Sequence, residues 1–529
     1  MKTGFFKYIF ILFVVGIIIF AIYMVYIKND KQENEIKQTE IIEKVQEIKD
    51  LRLGISNFDT INPLISNNKE VLNIDRLIFE PLITISENYQ TELCLATECS
   101  KTSATSYIIK IDNNKKWQDG SKLTSKDIQF TIDRLKEGRS VYSYNVEKVI
   151  SVEILDESTI KINLFEEVPF FEYNLTFPIL PNNYYIGEDF YTSTKIPMGT
   201  GMFKITSING SGIILNKNEN WWNINEANPK LETITIKLYS EIGEVYNSFK
   251  LGNIDAFTTS NLNLEHYIGT IGYAKIEFKG REFDYLAFNC QDNLLRNVEV
   301  RKAIYNAIDK NNIVSSIYNN QSYLADFPID YGNYLYNKEE NNKNYSPEQA
   351  KNILTNSGWE YKYNRWQKTE NHRTSRLNLS LSVNSEYPKR VAVAETIKAQ
   401  LEQIGIKVTI HKLSQNNYKK ALENKNYQMI ITGVYNSYSP NLETFFGNNN
   451  IQNYSNNEIS KILEEVKTIT DVKLLKEKYN RIIQIYEEER PFIGLYRNKQ
   501  TIVKSQNIAG EVFGNNYFSY YHLDTWYRF

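Results

Sequence analysis

The chain has 529 residues, too many for one hydrophobic core, and 42% of them are hydrophobic, which excludes a disordered polymer. Its 61 basic and 63 acidic residues leave a formal charge of -2, so there is no electrostatic footprint for nucleic acid.

The N-terminus sets the compartment. Tyr8 to Ile27 are twenty consecutive residues without a charge, and at about 1.5 Å per residue they match the ~30 Å of a bilayer core. Lys2 and Lys7 precede them, which orients the N-terminus inside. Ile22 to Tyr26 offer none of the small residues of a signal-peptide cleavage site, and the first cysteine, Cys94, is too distant for lipid attachment after cleavage. The expectation is an uncleaved transmembrane anchor over 1–28 and a solvated helical spacer over 29–50. The remainder then lies on the extracellular side of the cell membrane, where Cys94 and Cys99 could pair and Cys290 is left over.

From Leu51 the pattern becomes globular. Leu51, Leu53 and Ile55 alternate as a strand that ends at the Asn62-Pro63 turn, and an apolar helical pattern follows from Val71. Tyr107, Ile109 and Ile111 alternate; Thr124 with Asp127 opens a helix as a capping box; Ile160, Ile162 and Leu164 alternate again. That portion reads as α+β. Gly199-Thr200-Gly201 lacks the lysine and serine of a phosphate loop and reads as a tight turn between lobes. Arg281 to Asn289 is extended, and Ser346-Pro347-Glu348-Gln349 caps a helix that stops at Gly358.

The densest pattern runs from Leu377 to Tyr438. Leu377, Leu379, Leu381 and Val383 alternate, and Val393, Ile397, Leu401 and Ile404 fall at helical spacing before Gly405. Ile406, Val408 and Ile410 alternate next, a short helix follows, and Met429 to Val434 is a continuous apolar run. These are β-α-β units, which cross over into a parallel sheet whose ligands sit beyond the carboxyl ends of the strands. The floor of a cleft is therefore expected at Gly433, Val434 and Tyr435. A helical pair from Glu458 to about Glu489, broken near Thr470, and an extended return through Phe492 to Val503 close the chain.

Trp117-x-Asp119-Gly120, Gly199-Thr200-Gly201 with Phe203, Asn220-x-Trp222, Gly252-x-Ile254-Asp255, Val300-Arg301-Lys302-Ala303-Ile304 and Gly358-Trp359 occur in an order similar to that of extracellular solute-binding proteins of family 5. Those are the peptide- and nickel-binding components of ABC importers, and the resemblance spans nearly all of the chain from Leu51. It implies an α/β, two-lobed periplasmic-binding-protein-like fold with an extra α+β subdomain. Lobe I would combine 51–62, 195–282 and 500–529, the subdomain 63–194, and lobe II 283–499. It also implies a monomer that carries a peptide or peptide-like ligand to ABC transporter permease subunits, with no cofactor and no catalysis. A sensor of the same fold coupled to a signalling partner is the alternative. An anchored hydrolase is more remote, since Gly-x-Ser-x-Gly, His-Glu-x-x-His and Cys-x-x-Cys are all missing.

Carried over by position, the ligand-lining residues of the family fall on Asn67, Lys69, Gly433, Val434, Tyr435, Ser437 and Tyr438. Tyr285 and Asn289 join them because they end the strand that crosses between lobes. One position departs from the pattern: oligopeptide-binding members carry an aspartate before the tyrosine matched to Tyr438, where it holds the ligand's α-ammonium group, and here that residue is Ser437. The implied consequence is a solute with a blocked or internal segment, a non-peptide solute, or a negative charge supplied from elsewhere in the cleft. His266, His372, His411 and His522 are widely spaced, which favours peptide over metal.

Overall fold

Alternating apolar residues build one sheet that runs through the whole molecule. The computed structural model describes residues 23–25, 28, 47–260, 263–330, 332–336, 338 and 344–529. The expected anchor and most of the spacer lie outside these, apart from helical positions at Tyr23 to Val25 and Lys28 and the stretch from Glu47. Among the described residues no helix is long and apolar enough to cross a membrane.

In chain order the sheet strands are β1 (Asp50–Ser56), β2 (Phe203–Asn209), β3 (Gly212–Lys217), β4 (Thr233–Tyr239), β5 (Ala256–Thr259), β6 (Tyr273–Phe288), β7 (Ser322–Leu324), β8 (Asn378–Asn384), β9 (Lys407–Leu413), β10 (Met429–Tyr435) and β11 (Phe492–Ser505). Across the sheet they follow the order β9-β8-β10-β6-β11-β5-β1-β4-β3-β2, with β7 added to β11. Each end holds a parallel group. β1 pairs in parallel with β4 and β5, and β8 does so with β9 and β10, as the β-α-β reading required. The helix Pro388–Gln403 supplies one crossover and ends at Gly405, whose φ of 89° accounts for the glycine.

The two ends are the centres of two lobes, each with its own core. One gathers Leu381, Ile397, Ile430 and Ile482; the other gathers Leu53, Ile74, Ile236 and Trp526. A separate antiparallel sheet of Ala96–Ser103, Ser106–Ile111, Thr159–Leu164 and Val149–Ile154 packs with the second core. The helix Ser125–Lys136 flanks it, started by the Thr124 N–H donating to Asp127 Oδ2 at 2.7 Å. Cys94, Cys99 and Cys290 are free thiols.

β6 and β11 are the strands both lobes share. They pair antiparallel from Tyr273↔Ser505 to Lys279↔Lys499, lose register, and resume at Phe283↔Arg497. Gly280, Arg281 and Glu282 therefore bulge opposite Asn498, whose side-chain oxygen accepts from the Glu282 N–H at 3.1 Å. A Cβ on Gly280 would lie 2.0 Å from that oxygen. The bulge bends the sheet between the lobes.

Gly199 and Gly201 differ from the expected turn. They do not turn the chain between lobes; they run against the end of the helix α1 (Lys69–Ile78), where the Gly201 N–H donates to the Ile78 carbonyl at 2.8 Å. The backbone contact leaves no room for a side chain.

Candidate functional site

Two loops, each leaving the carboxyl end of a parallel strand, face one another from opposite lobes. In one lobe β1 ends at Ser56. Asn68 donates from Nδ2 to the Ser56 and Asn57 carbonyls at 2.7 and 2.8 Å, while its Oδ1 accepts from the Glu70 N–H and caps α1. Asp59 holds the preceding turn by accepting from the Asn67 N–H at 2.7 Å and the Ser66 hydroxyl at 2.8 Å. Partial burial would lift the Asp59 carboxyl, but these hydrogen bonds outweigh it and hold its pKa below the usual range. The helix so anchored turns Lys69, Leu72, Asn73 and Arg76 toward the cleft, the i, i+3, i+4, i+7 stripe of one helical face.

In the other lobe β10 ends at Tyr435. Asn436 fixes the next turn, donating from Nδ2 to the Pro328 carbonyl at 2.6 Å and exchanging backbone and side-chain bonds with Arg281. The Arg281 guanidinium, rising from the β6 bulge, lies 4.4 Å from the Tyr435 ring and 4.0 Å from the Tyr438 ring. Tyr438 meets Tyr517 edge-on at 5.1 Å, and Arg76 covers Tyr517 at 4.3 Å. One continuous stack thus runs from one lobe through the hinge strand to the other. Cation–aromatic contacts of this kind contribute about 0.5–2 kcal/mol each.

The stack divides two neighbouring hollows. The larger, about 390 Å³, is walled by the α1 stripe with Tyr142, Tyr173 and Tyr517; the smaller, about 120 Å³, by Val434, Pro440, Phe445 and Asp330. Arg281, Tyr435, Ser437, Tyr438 and Asn516 line both. The lobes also touch directly: the Tyr438 hydroxyl donates to the Asn516 carbonyl at 3.0 Å, and the Tyr334 N–H to the Asn88 carbonyl at 2.9 Å.

Of the positions singled out in the sequence, Asn67, Lys69, Val434, Tyr435, Ser437 and Tyr438 come together on these walls. Three lie elsewhere. Tyr285 is 2% exposed and stacks on Phe283 at 5.4 Å, because strand alternation sends it into the core of its lobe. Asn289 lines a separate surface hollow and donates to the Lys425 carbonyl. Gly433 lies in β10 against the Asp284–Arg390 pair. Arg76, Arg281, Tyr142, Asn516 and Tyr517 were not anticipated, although the polar stripe at 69, 73 and 76 was readable as a helix face with no apolar purpose.

The charges on the walls are unequal. Lys69, Arg76, Arg281 and Arg497 face the hollows, against Asp330 alone among acids. Asp330 is already engaged by Arg497 Nε at 3.0 Å and Lys279 Nζ at 3.9 Å, and burial lifts its pKa against their pull. Lys69 keeps contact with the water of the cavity, but desolvation by the surrounding walls and the nearby Arg281 draw its ammonium down to about 8. It is charged at neutral pH. None of the four histidines lines either hollow.

Two lobes sharing hinge strands, with a walled cavity at the carboxyl ends of parallel strands from both, define a solute-binding protein. The model of bacterial extracellular solute-binding proteins, family 5, matches residues 90–456. The chain belongs to that family. The oligopeptide-binding protein AppA of Bacillus subtilis is 22% identical over 491 residues, covering 88% of this chain and 89% of that one. Among solved structures, NikZ of Campylobacter jejuni in complex with Ni(L-His) aligns with a TM-score of 0.59 at 22% identity, over 91% of this chain and 99% of that one. The murein tripeptide-binding protein MppA, in its unliganded open form, aligns with a TM-score of 0.79 at 18% identity, over 91% and 98%.

Proposed function

We propose that this protein captures a peptide or peptide-like solute between its lobes and delivers it to the permease of an ABC importer while held to the membrane by residues 1–28. The division is the one read from the sequence, with lobe I from 51–62, 195–282 and 500–529, the subdomain from 63–194 and lobe II from 283–499. The observation that carries the reading is the cavity itself, whose walls come from α1 on one side and the end of β10 on the other, with Arg281 of the hinge strand between them. A solute touching both walls binds the closed form better than the open one and shifts the population by that difference in affinity. Asn67, Lys69, Val434, Tyr435, Ser437 and Tyr438 are the proposed ligand contacts. Their amide, hydroxyl and aromatic groups suit an extended main chain, and the absence of histidine from the walls points away from a metal complex.

Isothermal titration with a peptide mixture and with nickel chelates tests this reading. Peptide binding is expected; tight chelate binding with no peptide response would overturn it. Because Ser437 leaves no carboxylate for an α-ammonium group, N-terminal acetylation of a bound peptide should change its affinity less than tenfold, about 1.4 kcal/mol. Ser437→Asp should restore a preference for the free amine. A larger loss on acetylation of ligands of the unaltered protein would show that another carboxylate holds the amine.

For the anchor, the intact mass of protein extracted from membranes should include Met1 to Ile27 or lack only the initiator methionine. A mature N-terminus beyond Ile27 would rule the anchor out.

A further inference from the structure

Lys69, Arg76 and Arg281 converge on the larger hollow from two elements, and no acid lines that hollow. Among the described residues none of the three makes an ion pair within 4.0 Å. Arg76 donates from Nη1 to the Leu72 carbonyl at 2.8 Å and Arg281 from Nε to the Asn436 carbonyl at 2.6 Å. Both guanidinium groups lie over tyrosine rings, Arg76 on Tyr517 and Arg281 on Tyr435 and Tyr438, which restrains their direction while both side chains line the hollow. The acids nearest Lys69 are its neighbour Glu70, whose Oε2 accepts from the Ser56 N–H at 2.7 Å, and the exposed Glu282. Asp75, one residue from Arg76, is buried with neither carboxylate oxygen hydrogen-bonded, and it lies off the cavity wall.

Three fixed cations in one walled hollow repel a cationic or amine-terminated solute and are stabilised by an anion. We propose that the solute is an oxyanion-bearing one, specifically a peptide with acidic side chains, whose carboxylates are received by Lys69, Arg76 and Arg281. This rests on the peptide reading above and names its substrate class. Arg281 gives the selection a mechanical consequence: a carboxylate that binds it engages the bulge of β6, the point at which the two lobes join.

The test is calorimetry on the full-length protein with three probes: an N-acetylated pentapeptide rich in Asp and Glu, the same peptide with Asn and Gln in their place, and O-phosphoserine. The acidic peptide is expected to bind at least tenfold more tightly than its amide twin, with the ratio shrinking as salt is raised. Arg281→Met should reduce that ratio severalfold, and Arg281→Lys should retain most of it, with circular dichroism melts confirming that both variants fold. Equal affinity for the two peptides, or preference for the amide form, overturns the anionic proposal and leaves the peptide reading standing. Binding of O-phosphoserine alone, lost in Arg281→Met, upholds anion selection and overturns the peptide source. Failure of all three probes to bind overturns the proposal.

Discussion

Asp284→Ala should lower the stability of the lobe built around β8 to β10 by about 3–5 kcal/mol, the range seen when one member of a buried ion pair is removed. Arg390 donates to both Asp284 oxygens, from Nε at 2.8 Å and Nη2 at 2.7 Å. The Tyr496 hydroxyl adds a third bond at 2.9 Å, and Tyr318 donates to Tyr496 at 2.6 Å. The Asp284 side chain is 8% exposed and that of Arg390 is 22% exposed, so water cannot fully replace the lost carboxylate. Asp284→Asn keeps the shape and a partner for Tyr496, and should cost less. Urea unfolding followed by tryptophan fluorescence measures both. A loss below about 1 kcal/mol in the alanine variant would mean that the pair adds no net stability and that Arg390 finds other partners.

Gly199→Ala should affect stability and binding together. Its Cβ would lie 1.9 Å from the Ile78 carbonyl oxygen and 2.7 Å from the carbonyl carbon, both backbone atoms of the last turn of α1. Neither can rotate away. The helix or the loop must shift, at a cost of about 1–3 kcal/mol or more. Because α1 carries Lys69, Asn73 and Arg76 into the cavity, the same shift should weaken ligand binding severalfold. Gly210→Ala is the control, since a Cβ there meets nothing within 4 Å. Melting temperature and calorimetry on both variants check the pairing of effects. A stable Gly199→Ala protein with unaltered affinity would show that α1 is not fixed by this contact.

Much of the fold was readable from period alone. Leu377 to Val383 and Met429 to Val434 became parallel neighbours because each has only one face or one run to bury, and β-α-β handedness does the rest. The Thr124/Asp127 and Ser346/Gln349 caps stand where hydrogen-bonding chemistry put them. The first half of β6 was missed: Lys275 to Gly280 alternate charged residues with Ile276, Phe278 and Gly280, the period of a strand, but the bulge at Gly280 to Glu282 breaks that period and separates it from the stretch that follows. The site divides in the same way. Tyr435, at the end of β10, follows from topology, whereas Asn67 and Lys69 are reached only through the family resemblance. Tyr285 depends on which face of β6 points inward, and the bulge at Gly280 to Glu282 and a second register shift between Asp284 and Tyr285 reset that face. Asn516 and Tyr517 belong to a C-terminal stretch with little regular structure, so no period marks them.

The sheet also reverses the order in which the protein can be finished. β5, made early, needs β11 as its neighbour, and the core around Leu53 and Ile74 needs Ile502, Tyr520, Leu523 and Trp526 from the last thirty residues. Ile48 and Arg528 are joined backbone to backbone. Until β11 has been made, the chain leaves β5 with an open strand edge. The half synthesised first is therefore completed last. Truncation of even the final few residues should register as a defect in the half of the molecule that begins the chain.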